Sequence, residues 1–185
     1  GTTNIAIVAK GSVIHSTSAR FGSNDINAAL ANHIRRHRGL QVGDESVENL
    51  KTRFANSYLP DDIAKSMTIR GRDVQTGSPG AVEITAGEVY PVVEGIVRRF
   101  AAMISDTLTE LRPEVAADIY DRGIILTGGG ALLAGLDQYI RNFVNLSVII
   151  SDEPRYATVR GLLSMFDEPE LLEKVSRNEL NLLQN

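Results

Sequence analysis

The sequence contains no cysteine, which excludes disulfides, thiolate metal sites and a cysteine nucleophile at once and suits a reducing cytoplasm. It has no apolar run near the roughly 18 residues that a membrane-spanning helix needs, and no leader pattern. Nothing marks it as secreted or transmembrane. Positive charge is not in excess, since 19 Lys and Arg stand against 23 Asp and Glu for a formal net charge of −4. That balance argues against a general polyanion binder. Internal repeats and low-complexity segments are also lacking. What is present is 185 residues, 43% of them hydrophobic, enough for a real core in one domain or two small lobes. The chain begins at Gly1 and opens directly on an alternating apolar run, so the expectation is a piece of a longer protein.

Period-two alternation over Asn4–Ala9 and a second extended stretch from Val13 to about Phe21, split by Lys10-Gly11-Ser12, predict an antiparallel hairpin. Ser23 or Asn24 is placed to cap a helix with Ile26, Leu30 and Ile34 on one face, ending at Gly39. Asp44 precedes another, with Val47, Leu50 and Phe54 at helical spacing. Met67 and Ile69 face Val82 and Ile84 across a Thr76–Gly80 tip, a second hairpin. Thr85 and Glu88 match a capping box. Pro91 predicts a short helix, a bend and a longer helix striped by Val93, Ile96, Val97, Phe100, Ile104, Leu108 and Leu111. Pro113 restarts helix and Gly123 ends it. Ile124–Thr127 and Val148–Ile150 read as buried strands, each leading to a helix, which implies parallel pairing. The expected fold class is α/β: a mixed sheet with helices on both faces, with residues from about 27 to 84 inserted as a smaller lobe.

The most informative local motif is Leu126–Leu133, in which Gly128, Gly129 and Gly130 stand between a strand and a helix and are followed by Ala131 and Leu132. Three glycines let a backbone approach a ligand closely, and a helix N-terminus offers unpaired amides. Such a turn suits a phosphate or the edge of a nucleotide; it also suits a tight turn with no ligand. Gly1-Thr2-Thr3 offers amides and hydroxyls to phosphate oxygens, although alone it reads as an ordinary turn. Glu48 and Lys51, flanking Asn49 and Leu50, are three apart on one helix. That spacing makes either a surface ion pair or a pair facing a ribose or adenine. His33 and His37 have a metal-ligand spacing, but no third ligand stands out, so no metal site is assigned. The Arg35–Arg38 cluster is explained by the helix dipole rather than by nucleic acid.

Taken in order, these motifs resemble the second half of MreB-type bacterial actin homologues across nearly the whole chain. Gly1–Ala6 resembles the family's second phosphate loop, with Asn4 where an acidic residue is usual. Phe21–Asn24 resembles a Gly-Gly-Asp turn, with Ser23-Asn24 in place of Gly-Asp. Glu48-Asn49-Leu50-Lys51 is similar to a Glu-x-Ile-Lys nucleotide-site helix. Arg70–Asp73 with Thr76-Gly77 and Pro79 matches a hairpin specific to the family. Pro113–Gly123 and Leu126–Leu133 match almost residue for residue, and Asp152–Pro154 with Ala157 and Arg160-Gly161 resembles the closing segment. Ala55-Asn56-Ser57 stands where Gly-Ser-Ala is usual, and Pro169–Leu183 fits less well, which points to a diverged relative.

The resemblance implies an actin-like ATPase fold. Residues 1–26 and 85–185 would form a ribonuclease-H-like lobe and 27–84 its smaller partner. Glu48 and Lys51, with Asn49 and Leu50, would meet the nucleoside, Gly128–Leu132 the adenosine side of the phosphates, and Thr2 and Thr3 with Gly1 the terminal phosphates of ATP or ADP with Mg2+. It implies self-association into protofilaments, partnership with the cell-shape and cell-wall synthesis machinery, and a cytoplasmic site at the inner membrane, reached through the other half. No catalytic residue is assigned, because the first phosphate loop and the metal- and water-positioning groups belong to that other half. The chain alone is therefore expected to bind nucleotide weakly and to lack substantial ATPase activity. Two other readings compete: a sugar or acetate kinase, for which no acid or base stands out, and a nucleotide-independent interaction module.

Overall fold

The computed structural model describes residues 1–9, 12–169 and 172–173. The tip of the first hairpin at Lys10-Gly11 and most of the Pro169–Leu183 segment lie outside the described residues. The first hairpin forms, with β1 (Thr3–Ala9) antiparallel to β2 (Ser12–Ala19) and an irregularity at Ile7/Val8. β1 has no second strand partner among the described residues. The hairpin's far end is fastened inward: Thr3 Oγ1 donates to the Phe21 carbonyl at 2.8 Å, and the Phe21 ring lies 5.0 Å from that of Phe100.

Helix α1 (Ser23–Arg38) places Ile26, Leu30 and Ile34 inward as their spacing requires. Its cap is Gly22, one residue earlier than expected. The Asp25 carboxylate accepts the Gly22 amide at 2.6 Å, so the first turn is closed by an acidic third residue, not by a Ser or Asn hydroxyl or amide. Gly39, at φ 65°, ends it in the left-handed conformation that costs glycine least. A short strand, β3 (Leu40–Gln41), leads to α2 (Asp44–Phe54), whose Val47, Leu50 and Phe54 are buried. The second hairpin is β4 (Ser66–Asp73) against β5 (Pro79–Thr85), with β3 on the outer edge of β4. Its tip is held by Asp73, which accepts from the amides of Gln75 and Thr76 and from the Thr76 hydroxyl.

Helix α3 runs unbroken from Ala86 to Thr109 through Pro91. The expected division into a short and a longer helix is absent, because Pro91 is only the sixth residue of the helix. It forfeits one bond, to the carbonyl of Gly87, while Val89, Val93, Val97 and Ala101 are packed along one fully buried line. Half of the expected capping box forms: Thr85 Oγ1 accepts the Glu88 amide at 3.2 Å. The Glu88 carboxylate turns instead to α1, taking two bonds from Arg38 (2.7 and 3.1 Å) and one contact with His33 (3.0 Å). These partners, Arg38 first, hold the Glu88 carboxyl below its ordinary pKa. A carboxylate depressed in the fold contributes stability above the ordinary glutamate value and loses it as pH falls through the folded value. Glu88→Gln is thus expected to lower the melting temperature by ~2–4 °C at pH 7. The gap should close below about pH 4; melts at both pH values check it.

Helix α4 (Pro113–Arg122) ends at Gly123, and β6 (Ile124–Leu126) pairs in parallel with β7 (Val148–Ile150). Between them lie a single 3₁₀ turn (Gly129–Leu132) and α5 (Leu136–Val144); a second 3₁₀ turn (Pro154–Tyr156) and α6 (Ala157–Asp167) follow β7. The glycine run forms the tight turn expected, continued as a four-residue 3₁₀ turn, and the helix through Leu136, Tyr139, Ile140 and Phe143 follows as α5, after Gly135 in a left-handed conformation. The β1–β2 ladder and the β6–β7 ladder are separate. Ile125, Ile149, Val159, Leu162 and Phe166 are exposed, so the outer side of β6–β7 and α6 is uncovered among the described residues. One apolar cluster runs through α1, α2, β4, β5, α3, α5 and β7, and the expected boundary at residues 26/27 falls inside α1.

Candidate functional site

Residues singled out in two separate stretches of sequence meet along one line of contacts, and the third, the glycine turn, carries a cation that attracts them. At one end, Gly1 and Thr2 lie against Gly22: a Cβ on Gly22 would sit 3.2–3.3 Å from their backbone. The absence of a side chain at Gly22 lets the residues before β1 pass this close to the cap of α1 without a tight contact. Thr3, whose hydroxyl hydrogen is committed to Phe21, retains only lone pairs for other partners. Beside Gly22 is Ser23, whose hydroxyl accepts from Lys51 Nζ at 2.9 Å.

Lys51 and Glu48 are joined because positions three apart on α2 share a face. The Lys51 side chain is only 11% exposed, and its ammonium lies 2.7 Å from Glu48 Oε2. The Asn27 amide donates to the same oxygen at 2.7 Å. Both bonds fall on Oε2, which leaves Oε1 as a further acceptor on a side chain that is about half exposed. Lys51 first, then Asn27, hold the Glu48 carboxyl below its ordinary pKa, and Arg155 adds attraction from a greater distance. Leu50 is fully buried and seats the helix, while Asn49 is exposed.

At the other end is the glycine turn. Gly128, at φ 81°, needs its lack of a side chain. The Pro154 carbonyl accepts from the Gly128 amide at 2.8 Å and from Thr127 Oγ1 at 3.3 Å. The side-chain stem of Arg155 lies against Gly129, 4.0 Å from where a Cβ would stand. No atom lies within 4 Å of a Cβ built on Gly128 or Gly130, so the turn is open on that side. Amides that begin such a turn lack partners within it. Ala131 is buried and anchors the turn; Leu132 is half exposed. The segment after the turn is stapled to the segment after α2, since the Ser57 amide donates to the Ala134 carbonyl at 2.9 Å and Asn56 bridges Ala134 in parallel fashion.

This row offers backbone amides and an ammonium for phosphate oxygens, and one oriented carboxylate oxygen for hydroxyl donors. That donor set fits a nucleotide. Among the described residues no group of three or more His, Cys, Asp and Glu could hold a metal. Sequence reasoning did not find Asn27 or Arg155. Asn27 lies one helical turn beyond Ser23, a spacing that could have shown it; for Arg155, only its place after Pro154 in the closing segment hinted at proximity to the turn.

The fold is shared with solved proteins of the actin-like class. The structure of MreB 5 of Spiroplasma citri bound to AMPPNP superposes with a TM-score of 0.84 at 25% identity, over 96% of this chain and 53% of that one. The MamK double helical filament gives 0.71 at 22% identity, over 91% and 52%. The sequence model of the MreB/Mbl protein family matches residues 1–174, and the chain belongs to that family. It is 32% identical over 174 residues to the cell shape-determining protein Mbl of Bacillus subtilis, covering 94% of this chain and 52% of that protein. It is 30% identical over 161 residues to the cell shape-determining protein MreB of Escherichia coli K12, covering 87% and 46%. The chain thus spans about half the length of the curated relatives it matches. No helix among the described residues is long and apolar enough to cross a membrane.

Proposed function

We propose that this chain forms one wall of an ATP-binding cleft in a filament-forming cytoskeletal subunit that serves cell shape and cell-wall organisation. The observation that carries the reading is the chain of contacts from Gly1-Thr2 through Gly22, Ser23 and Lys51 to Glu48, with Arg155, whose stem lies against Gly129, near enough to attract the Glu48 carboxylate. It brings two of the motifs into one row, near the third, with the donors a nucleotide requires. In this reading Gly1, Thr2 and Thr3 lie toward the terminal phosphates, and Glu48 Oε1 takes a ribose hydroxyl. Gly128–Gly130 border the phosphates on the adenosine side. Mg2+ would be carried on the phosphates and their waters, as its preference for few protein ligands suggests. Residues 1–26 and 85–185 would act as the larger lobe and 27–84 as the smaller. Support comes from MreB 5 of Spiroplasma citri, solved bound to AMPPNP and to ADP, and from MamK, solved as a double helical filament. Partners in the wall-synthesis machinery and a position at the inner membrane, through parts beyond this chain, belong to the same proposal.

The test uses the native protein that carries this chain: titration with a fluorescent ATP analogue, and pelleting with and without ATP. Saturable binding with nucleotide-dependent pelleting is the expected result. Pelleting that ignores nucleotide, with no binding, would sink the reading in favour of a nucleotide-independent polymerising module. The 185 residues by themselves are expected to turn ATP over far more slowly than the native protein, because phosphoryl transfer requires metal, water and phosphates to be positioned together.

A further inference from the structure

We propose that Asn27 is a positioning residue of the site: it fixes the Glu48 carboxylate so that Oε1 meets a sugar hydroxyl, and the site thereby selects ribose over a sugar that lacks hydroxyls. This rests on the nucleotide reading above. Four side chains from two helices join in one polar cluster. Ser23 and Asn27 are four apart on α1, and Glu48 and Lys51 three apart on α2, so each pair shares a face. Lys51 Nζ donates to Ser23 Oγ at 2.9 Å and to Glu48 Oε2 at 2.7 Å. Asn27 Nδ2 donates to that same carboxylate oxygen at 2.7 Å.

Two donors on one oxygen do what one cannot. A carboxylate held by Lys51 alone can pivot about a single contact, because an ammonium imposes no plane. Asn27 approaches from the other helix, and the two helices are held together by Ile26, Leu30, Val47 and Leu50 in one buried cluster. The amide and the ammonium together set the carboxylate plane, and with it the direction of Oε1. The same bond leaves the other end of the amide unserved. Its nitrogen must face Glu48, since an amide oxygen there would meet the carboxylate acceptor to acceptor. Oδ1 is then buried, and among the described residues no donor reaches it. A bond that leaves an acceptor buried and unpaired adds little net stability. Asn27 is thus suited to orienting Glu48 and poorly suited to holding α1 on α2.

The experiment compares the native protein with its Asn27→Ala, Asn27→Leu, Glu48→Ala and doubly substituted Asn27→Ala/Glu48→Ala variants, titrated with ATP and with 2′,3′-dideoxy-ATP. Asn27→Ala should weaken ATP about three- to tenfold and leave dideoxy-ATP unchanged. Asn27→Leu, which fills the same space without a donor, should match it on both probes and melt no lower than the unsubstituted protein. In the Glu48→Ala background, removing Asn27 should change neither affinity, because a residue that acts through Glu48 has nothing left to act on. Equal losses for the two probes would mean that Asn27 supports the site as a whole and would overturn the proposal. An ATP affinity unchanged in both Asn27 variants would do the same, as would a further loss in the Glu48→Ala background. If the unsubstituted protein binds neither probe, the nucleotide reading itself has failed.

Discussion

Replacing Lys51 with methionine should reduce ATP affinity by roughly 10- to 100-fold, the span expected when a hydrogen bond to a charged group is removed. The substitution preserves the apolar stem that packs along α2 and deletes only the ammonium. Three effects follow from that one deletion. A cation is lost from the row, Ser23 loses its donor, and Glu48 is left with Asn27 alone to orient it. Lys51→Arg should rescue little, because a planar fork does not reproduce a compact ammonium wedged between Ser23 and Glu48. Stability should fall less than affinity does, since Glu48 is about half exposed and its pairing is screened. Fluorescent-nucleotide titration beside a thermal melt separates the two quantities. An affinity within twofold of the unsubstituted protein would remove Lys51 from the site.

Gly123→Ala is expected to cost about 2–4 kcal/mol, the sum of a disfavoured conformation and a backbone clash. Gly123 has φ 79°, and a Cβ there would stand 2.5 Å from the Ser147 carbonyl oxygen and 2.9 Å from the Ser147 side chain. That same carbonyl accepts the Ile124 amide at 2.8 Å, so relief of the clash must open the first bond of the β6–β7 pair. The disturbance then passes along the three residues of β6 into Gly128, and nucleotide affinity should fall with stability. Gly95→Ala is the control. Gly95 lies exposed within α3 with nothing within 4 Å of its missing Cβ, so alanine there should stabilise by roughly 0.5–1 kcal/mol. Chemical denaturation of both variants checks the contrast; equal effects would mean that the turn at Gly123 is not under the stated constraint.

Elements with strong local patterns were legible in the sequence. Ile26, Leu30 and Ile34 marked α1, Val47, Leu50 and Phe54 marked α2, and the Thr76–Gly80 tip marked the second hairpin. Pro91 misled because a proline near a helix start forfeits a single bond, which the packing of Val89, Val93 and Val97 outweighs. The glycine run was read correctly as a tight turn before a helix, because backbone freedom there delays a regular helix, here until Leu136. Glu88 shows a third kind of limit: local spacing pairs it with Thr85, yet the helix 50 residues earlier supplies better partners. The candidate site was visible as three motifs. How they come together depends on Gly22, Ser23 and Asn27, whose contacts with Gly1-Thr2, Lys51 and Glu48 span 21 to 28 residues of sequence and so leave no local pattern.

The staple between Ser57 and Ala134 has a consequence for release kinetics. A pocket generally lets go of a tightly held guest by parting the surfaces that grip it. Here the segment after α2 and the segment after the glycine turn are joined by a backbone bond, and α2 and α5 on either side of it pack into one core. The edge they form behaves as a fixed jaw. Product departure would then be timed by whatever closes against that jaw, and variants that accelerate exchange should map to the opposing surface rather than to residues 56–58 or 134.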